Sequence, residues 1–182
     1  LLAQQRSAVV NVSEQTKFKT KHVNVWCGAR QAWVSLQQWV ACGDNMLKPE
    51  ELTGLSNWFS FDLASKLDVA AYVMLFRKRM QEKNHYYLFG RYYLPEDRLQ
   101  EPGKNQLMYQ KWHKQGILTA TDGSTTDFTR IKDDMIVDAR RFNPSEVVYD
   151  PCNATHMSQL LMGEGLNLVE FTQTLQNFAV PM

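Results

Sequence analysis

Between Trp58 and Leu94 three β-rich runs follow one another with only short polar turns between them, and this stretch constrains the fold more than any other. Trp58-Phe59-Ser60-Phe61-Asp62 is a short apolar run that stops at an acid. Val69 to Arg77 is rich in β-formers throughout, and Asn84 to Leu94 carries Tyr86, Tyr87, Phe89, Tyr92 and Tyr93. Three runs joined this tightly make an antiparallel meander, closed at Pro95. The aromatics of the third run read as sheet core; the competing reading is a base-stacking platform of the single-strand-binding type.

After Pro95 the period changes. Glu96 to Lys104 is polar and turn-rich, Gln106 to Gln115 reads as a short helix ending at Gly116, and Ile117 to Thr121 is extended. Phe128, Ile131, Met135, Ala139 and Phe142 recur at steps of three and four, which marks the clearest helix in the chain, from Thr126-Asp127 to just before Pro144. Glu146 to Asp150 follows as a buried strand that also ends at an acid. A helix over Thr155 to Met162 stops at Gly163 and Gly165, Asn167 to Phe171 is a further strand, and the tail is helical up to Pro181. Right-handed crossovers return the later strands parallel to the first. The expected fold is α/β: a mixed five-stranded sheet, an antiparallel meander plus parallel strands, flanked by helices.

The chain divides near Gly54. Before it, Val23-Asn24-Val25-Trp26 is extended, and Trp33, Leu36, Gln37 and Val40 recur at helical spacing within Gln31 to Cys42. Residues 1–54 are therefore read as a leading segment with a helix, and 55–182 as the main domain. At 182 residues there is room for one full core and not for two large domains. The start at Leu1-Leu2, without Met, reads as that of a piece excised from something longer.

Composition excludes several classes. Apolar residues at 44% and charged residues at 21% are those of a folded globular chain, not a disordered one. Twenty Lys+Arg against 19 Asp+Glu leave a net charge of +1, so contact with a polyanion must come from local patches. The basic runs Lys17 to His22, Arg77-Lys78-Arg79 and Arg140-Arg141 each read first as solvated faces. Cys27, Cys42 and Cys152 are odd in number and form no CxxC pair, which argues against a disulfide framework or a zinc knuckle and for a reducing compartment. No apolar run approaches the roughly 20 residues that span a bilayer, so no membrane partner is expected. The four histidines lack metal-ligand spacing, no GxSxG elbow occurs, and Cys152 has no indicated histidine partner.

The two acid-terminated strands carry the chemistry. If the strand after the crossover lies beside the first, Asp62 and Asp150 end at the same edge, about 5 Å apart. Two unpaired carboxylates at that distance repel, and a shared divalent cation relieves the repulsion. Phosphodiester hydrolysis with two Mg²⁺ or Mn²⁺ ions uses this arrangement, and hard oxygen ligands favour those ions over zinc. Asp62 and Asp150 are thus the candidate catalytic and metal-holding residues. Asp68, opening the second strand, is a secondary metal candidate. Asp127 is a weaker one, since capping the crossover helix accounts for it. Asp133 and Asp134 read as solvated.

At Phe61-Asp62-Leu63-Ala64-Ser65 with Asp68-Val69-Ala70-Ala71, and again at Val148-Tyr149-Asp150-Pro151-Cys152-Asn153-Ala154, the sequence resembles the nuclease domain of the large terminase subunit of tailed bacteriophages. Weaker similarities run almost end to end: Val23 to Trp26, the Tyr93-Leu94-Pro95-Glu96 turn, Trp112 ahead of Gly116-Ile117-Leu118-Thr119, and Val169-Glu170-Phe171 leading to Pro181-Met182. The resemblance implies a ribonuclease H-like fold and a metal-dependent endonuclease that cuts concatemeric double-stranded DNA during genome packaging. In that pattern Asp62 is the first-strand metal ligand, Asp150 the fourth-strand ligand, and Asp68 an additional acid nearby. It further implies a small terminase subunit, a portal and an ATPase domain of the same polypeptide as partners, and a place in the host cell cytoplasm. The chain departs from the family in two respects. No GxxxxGK phosphate loop occurs, so the ATPase domain is missing, and the family's last aspartate falls beyond Met182, so the domain reads as truncated. The other readings are a non-catalytic docking or DNA-binding module of the packaging motor, and a resolvase-like nuclease on the same fold.

Overall fold

A computed structural model describes residues 2–23, 35–66, 68–152 and 154–179. The chain divides into two compact units, Leu1–Leu47 and Lys48–Met182. The described helices of the first are α1 (Leu2–Val10), α2 (Val12–His22) and α3 (Leu36–Ala41). In α2, Glu14 lies in the first turn and Lys19, Lys21 and His22 in the last, so the charges oppose the helix dipole. The Ser35 hydroxyl caps α3 by accepting from the Gln38 N–H at 3.4 Å. The helix expected within Gln31 to Cys42 is thus present from Leu36 onward. The helix begins at its Ser35 cap; the first four residues of the expected span, 31–34, and the stretch 24–26 lie outside those described. The first two helices had no counterpart in the sequence reading, because their apolar residues form no stripe.

The second unit runs from a 3₁₀ turn at Pro49–Leu52 through β1 (Ser56–Asp62), β2 (Ala70–Met80), β3 (Lys83–Pro95), α4 (Glu96–Gln100), α5 (Gln106–Lys114) and β4 (Leu118–Thr121), then α6 (Phe128–Phe142), β5 (Val147–Tyr149), α7 (Thr155–Gly163), β6 (Leu168–Glu170) and α8 (Leu175–Ala179). The sheet order is β4-β3-β2-β1-β5-β6. β1, β2 and β3 form the expected meander, and β5 pairs parallel with β1. The sheet has six strands, one more than expected. The sixth is β4, which the sequence marks only as extended. The α4–α5 crossover returns it parallel to the end of β3, with Tyr92 opposite Leu118 and Pro95 opposite Thr121. Leu118-Thr119-Ala120-Thr121 is half threonine and lacks the apolar run that marks β1 and β5, so its place in the sheet was not legible.

Alternation divides the sheet into two faces. Phe59 and Phe61 of β1, Tyr72, Met74 and Phe76 of β2, and Val147 and Tyr149 of β5 are buried on one face with α6 and α7. α6 contributes Ile131, Met135, Ala139 and Phe142 as anticipated, and burying each of the larger side chains contributes on the order of 1.5–3 kcal/mol. The helix stops at Asn143, which takes a left-handed conformation (φ 51°) just before Pro144. Asn57, buried in β1, donates its amide to the Phe142 carbonyl at 2.8 Å and so satisfies one of the acceptors freed at that helix end. On the opposite face α4 and α5 cover only the β3–β4 end, through Leu94, Leu99, Tyr109 and Leu118.

The third-strand aromatics follow the same alternation. Tyr93 is fully buried and Tyr87 and Phe89 pack against the core, whereas Tyr86 and Tyr92 are exposed on the other face. The core reading therefore holds for only part of this set. Gly90 leaves room for Tyr92: a Cβ there would clash with the hydroxyl end of the Tyr92 side chain, which would have to shift.

Candidate active site

The cleft lies on the face that α6 and α7 leave open. In the β1–β5 pairing Ser60 lies opposite Val148 and Phe61 opposite Tyr149, so the next residues, Asp62 and Asp150, end adjacent parallel strands side by side. Both follow a core-facing aromatic, and alternation turns both toward the open face. There they line one cleft of about 280 Å³, together with Ser60, Val73, Gln173 and Phe178 among others. Its wall is built after β6. Phe171 and Phe178 meet edge to face at 5.4 Å, and the Phe171 N–H donates to the Tyr149 carbonyl at 2.8 Å, fastening this segment to β5.

The two carboxylates differ in how they are held. Asp150 Oδ1 accepts from the Cys152 N–H at 2.8 Å, and Oδ2 accepts from the Gln173 N–H at 3.1 Å. These bonds orient the group, and each oxygen retains a lone pair. Asp62 is exposed and has no hydrogen-bond or ion-pair partner among the described residues. The role of the loop after β6 was missed in sequence, since a backbone N–H leaves no trace in residue type.

The other candidate acids reach the same edge of the sheet but not the cleft. Asp68 is exposed in the β1–β2 loop, two residues before β2 begins. Asp127 caps α6, its Oδ1 accepting from the N–H groups of Thr129 at 2.8 Å and Arg130 at 3.3 Å. The Thr126 N–H donates to the Ser65 carbonyl at 2.9 Å, tying the start of α6 to the β1–β2 loop. No three side chains of His, Cys, Asp or Glu converge as a metal-holding group among the described residues. Cys152 is an exposed loop thiol.

Away from the cleft, α6 carries a second acidic pair. Asp138 is 2% exposed; it accepts from the Tyr72 hydroxyl and forms an ion pair with Arg91 at 2.8 Å. Burial, then the hydrogen bond to Asp138, pushes the Tyr72 hydroxyl far above its ordinary value. Arg91 is pulled down by its own burial, but Tyr72 and Asp138 outweigh this and raise it. Asp134 accepts from the Tyr93 hydroxyl at 2.8 Å and pairs with Arg130, so it is not the solvated residue expected; Asp133 is exposed beside Lys132. The sequence did hold a signal for Asp138. It lies seven residues after Ile131 and four before Phe142, within the apolar stripe, where a charge needs partners.

Comparison with known proteins agrees with this architecture. A curated relative, Protein YmfN of Escherichia coli (strain K12), is 36% identical over 189 residues; the match takes in 100% of this chain and 41% of the relative. The crystal structure of the HK97 bacteriophage large terminase superposes with a TM-score of 0.65 at 21% identity, covering 96% of this chain and 36% of that one, and so shares the fold. The chain thus spans well under half the length of either. No described helix is long and apolar enough to cross a membrane. The family model described as "Terminase large subunit, endonuclease domain" matches residues 2–182, and the chain belongs to that family.

Proposed function

We propose that the second unit cuts double-stranded DNA by divalent-metal-dependent hydrolysis, as the nuclease part of a genome-packaging terminase acting on concatemeric DNA. The observation that carries this reading is the pair Asp62 and Asp150, at the ends of adjacent parallel strands, turned into one cleft.

The donor set suits a hard cation. Both side chains offer only oxygen, Asp62 has no partner among the described residues, and Asp150 is aimed by two backbone N–H groups yet keeps lone pairs. Asp62 and Asp150 would hold Mg²⁺ or Mn²⁺, with Asp68 as an additional acid at the same edge. When bound, such ions supply charge neutralisation at the phosphate and an activated water. The chain's own part is positional. The Cys152 and Gln173 N–H groups fix the Asp150 carboxylate, the Phe171–Phe178 pair walls one side of the cleft, and the small side chains Ser60 and Ala71 leave its floor low. The rest of the machinery belongs to this proposal through family membership: an ATPase domain in the same polypeptide, the small terminase subunit, the portal and the host cytoplasm.

The test is nicking and linearisation of supercoiled plasmid by the full-length protein with Mg²⁺ or Mn²⁺. Cutting that is lost in Asp62→Ala and in Asp150→Ala, with the fold retained, is the expected result. A wild-type protein that cuts nothing with either ion overturns the enzymatic reading and leaves a non-catalytic motor module.

A further inference from the structure

β2 and β3 outrun the rest of the sheet. β1 begins at Ser56, opposite Arg77, and β4 reaches only the far end of β3, from Tyr92 onward. From Lys78 to His85 the two strands are therefore a bare two-stranded ribbon, with Lys78 opposite His85, Arg79 opposite Asn84 and Met80 opposite Lys83. Three or four residues per strand give it a reach of roughly 10–13 Å beyond the sheet. Its loop is two residues, Gln81 and Glu82, both left-handed (φ 48° and 66°), as a tight hairpin turn requires.

The charges on this ribbon are unusual for the molecule. Apart from Arg77 at its root, every arginine of the second unit outside it is matched by a carboxylate: Arg91 by Asp138, Arg98 by Glu101, Arg130 by Asp134, Arg140 by Glu164 and Arg141 by Glu50. Arg77, Lys78, Arg79 and Lys83 are all exposed and have no carboxylate partner among the described residues. Against these four stands one acid, Glu82. Alternation also splits them between the two faces: Arg77 and Arg79 on the open face, Lys78 and Lys83 on the other. The Arg77 guanidinium lies 5.1 Å from the centre of the Trp58 ring, which steadies it without neutralising it.

We infer that this ribbon enters the major groove of duplex DNA and grips phosphates on both of its walls. The inference rests on the nucleic-acid reading of the preceding subsection and adds where the duplex is held. The major groove is about 12 Å wide and about 8.5 Å deep and admits a two-stranded ribbon, which matches the reach found here. Cations on both faces meet phosphates on both sides, whereas a flat contact would use one face only. The grip lies far from the cleft. Six residues of β1 separate Ser56 from Asp62, about 20 Å, so the ribbon positions DNA some six or more base pairs away from the cutting site and contributes to binding rather than to the chemical step.

The experiment uses the full-length protein, a fluorescent duplex several helical turns long, and EDTA, so that no cutting intervenes. Arg77→Gln/Lys78→Gln/Arg79→Gln/Lys83→Gln should flatten the plot of log affinity against log salt by about 2–4 units, at roughly 0.9 per lost phosphate contact. The pairs Arg77→Gln/Arg79→Gln and Lys78→Gln/Lys83→Gln should each remove about half of that change. Neutralising Lys104, Lys111 and Lys114, exposed cations elsewhere in the unit with no carboxylate partner among the described residues, should leave the slope as it was. Circular dichroism confirms folding of each variant. An unchanged slope in the quadruple variant, or a wild type that binds no duplex DNA, overturns the grip. An effect of only one pair overturns the two-walled contact. Because cutting is absent from the measurement, a flattened slope in a protein that fails the plasmid assay keeps the grip and discards the nuclease, and the converse outcome separates them equally well.

Discussion

The two faces of one sheet treat their aspartates in opposite ways. On the face covered by α6, Asp138 and Asp134 are each given a tyrosine hydroxyl and an arginine, so their charges are neutralised locally. On the open face Asp62 has no partner among the described residues, and Asp150 has only two backbone N–H groups that aim it. A buried carboxylate with a full set of partners fastens helix to sheet. An exposed one that is aimed but not neutralised remains available to a cation. The difference comes from register: a shift of one residue in β1 would turn Phe61 outward and Asp62 into the core.

The comparison breaks most sharply at Asp62. If the open-face acids serve chemistry alone, Asp62→Ala lowers the rate of plasmid cutting by about a thousandfold, the equivalent of several kcal/mol of lost charge stabilisation, and leaves the thermal midpoint within a degree or two of wild type. Asp150→Ala loses cutting to the same extent but also some stability, because the Cys152 and Gln173 N–H groups lose their acceptor. Equal loss of stability in the two variants would show that the acids are not held differently.

Asp138→Ala is the mirror image. Removing the buried carboxylate leaves the Tyr72 hydroxyl without its acceptor and takes the partner from a half-exposed Arg91, which should cost about 2 kcal/mol in urea denaturation. Cutting per folded molecule should stay at the wild-type rate. A variant that remains as stable as wild type but cuts no DNA would move Asp138 from the scaffold to the site.

These two groups of acids were not equally legible. Asp62 and Asp150 stand out in sequence because each ends an apolar run, and the order of elements places those runs side by side; the meander, the crossover helix and the parallel return all follow from period and punctuation. Asp138 was marked only by its place in the apolar stripe, and its partners were hidden. Its partners Tyr72 and Arg91 lie on β2 and β3, and only the packed register brings them beneath α6. β4 lacks the apolar run that marks β1 and β5, and the N–H groups that aim Asp150 come from backbone, which every residue but proline supplies. Residue type carried the chemistry of the open face, while pairing across the sheet carried the support of the covered one.

The covered face should also betray itself by pH. An unfolded tyrosine loses its proton near the ordinary value of 10.0, whereas folded Tyr72 holds its proton well above that, through burial and the bond to Asp138. The stabilisation is therefore complete below pH 10 and is lost as pH rises beyond it, by about 1.4 kcal/mol per pH unit for one group. Tyr93, raised by burial and by Asp134, adds in the same direction. Tyr72→Phe should make the alkaline decline shallower while costing about 1–2 kcal/mol at neutral pH. An unaltered alkaline slope in this variant would mean that the hydroxyl is not protected as the geometry requires.

Asp127 stands between the two groups, at the sheet edge of the site but at the start of the helix that covers the other face. Its Oδ1 accepts from two N–H groups of α6, and the cap accounts for its presence. Asparagine caps as well as aspartate but carries no charge, so substitution separates the roles. Asp127→Ala should cost about 1 kcal/mol and Asp127→Asn a few tenths, the remainder of the loss being attraction of the charge to the helix dipole. Both variants should cut plasmid at the wild-type rate. If Asp127→Asn keeps its stability and loses its cutting, the charge at this edge acts with Asp62 and Asp150, and the site extends around the strand ends to the α6 side of the sheet.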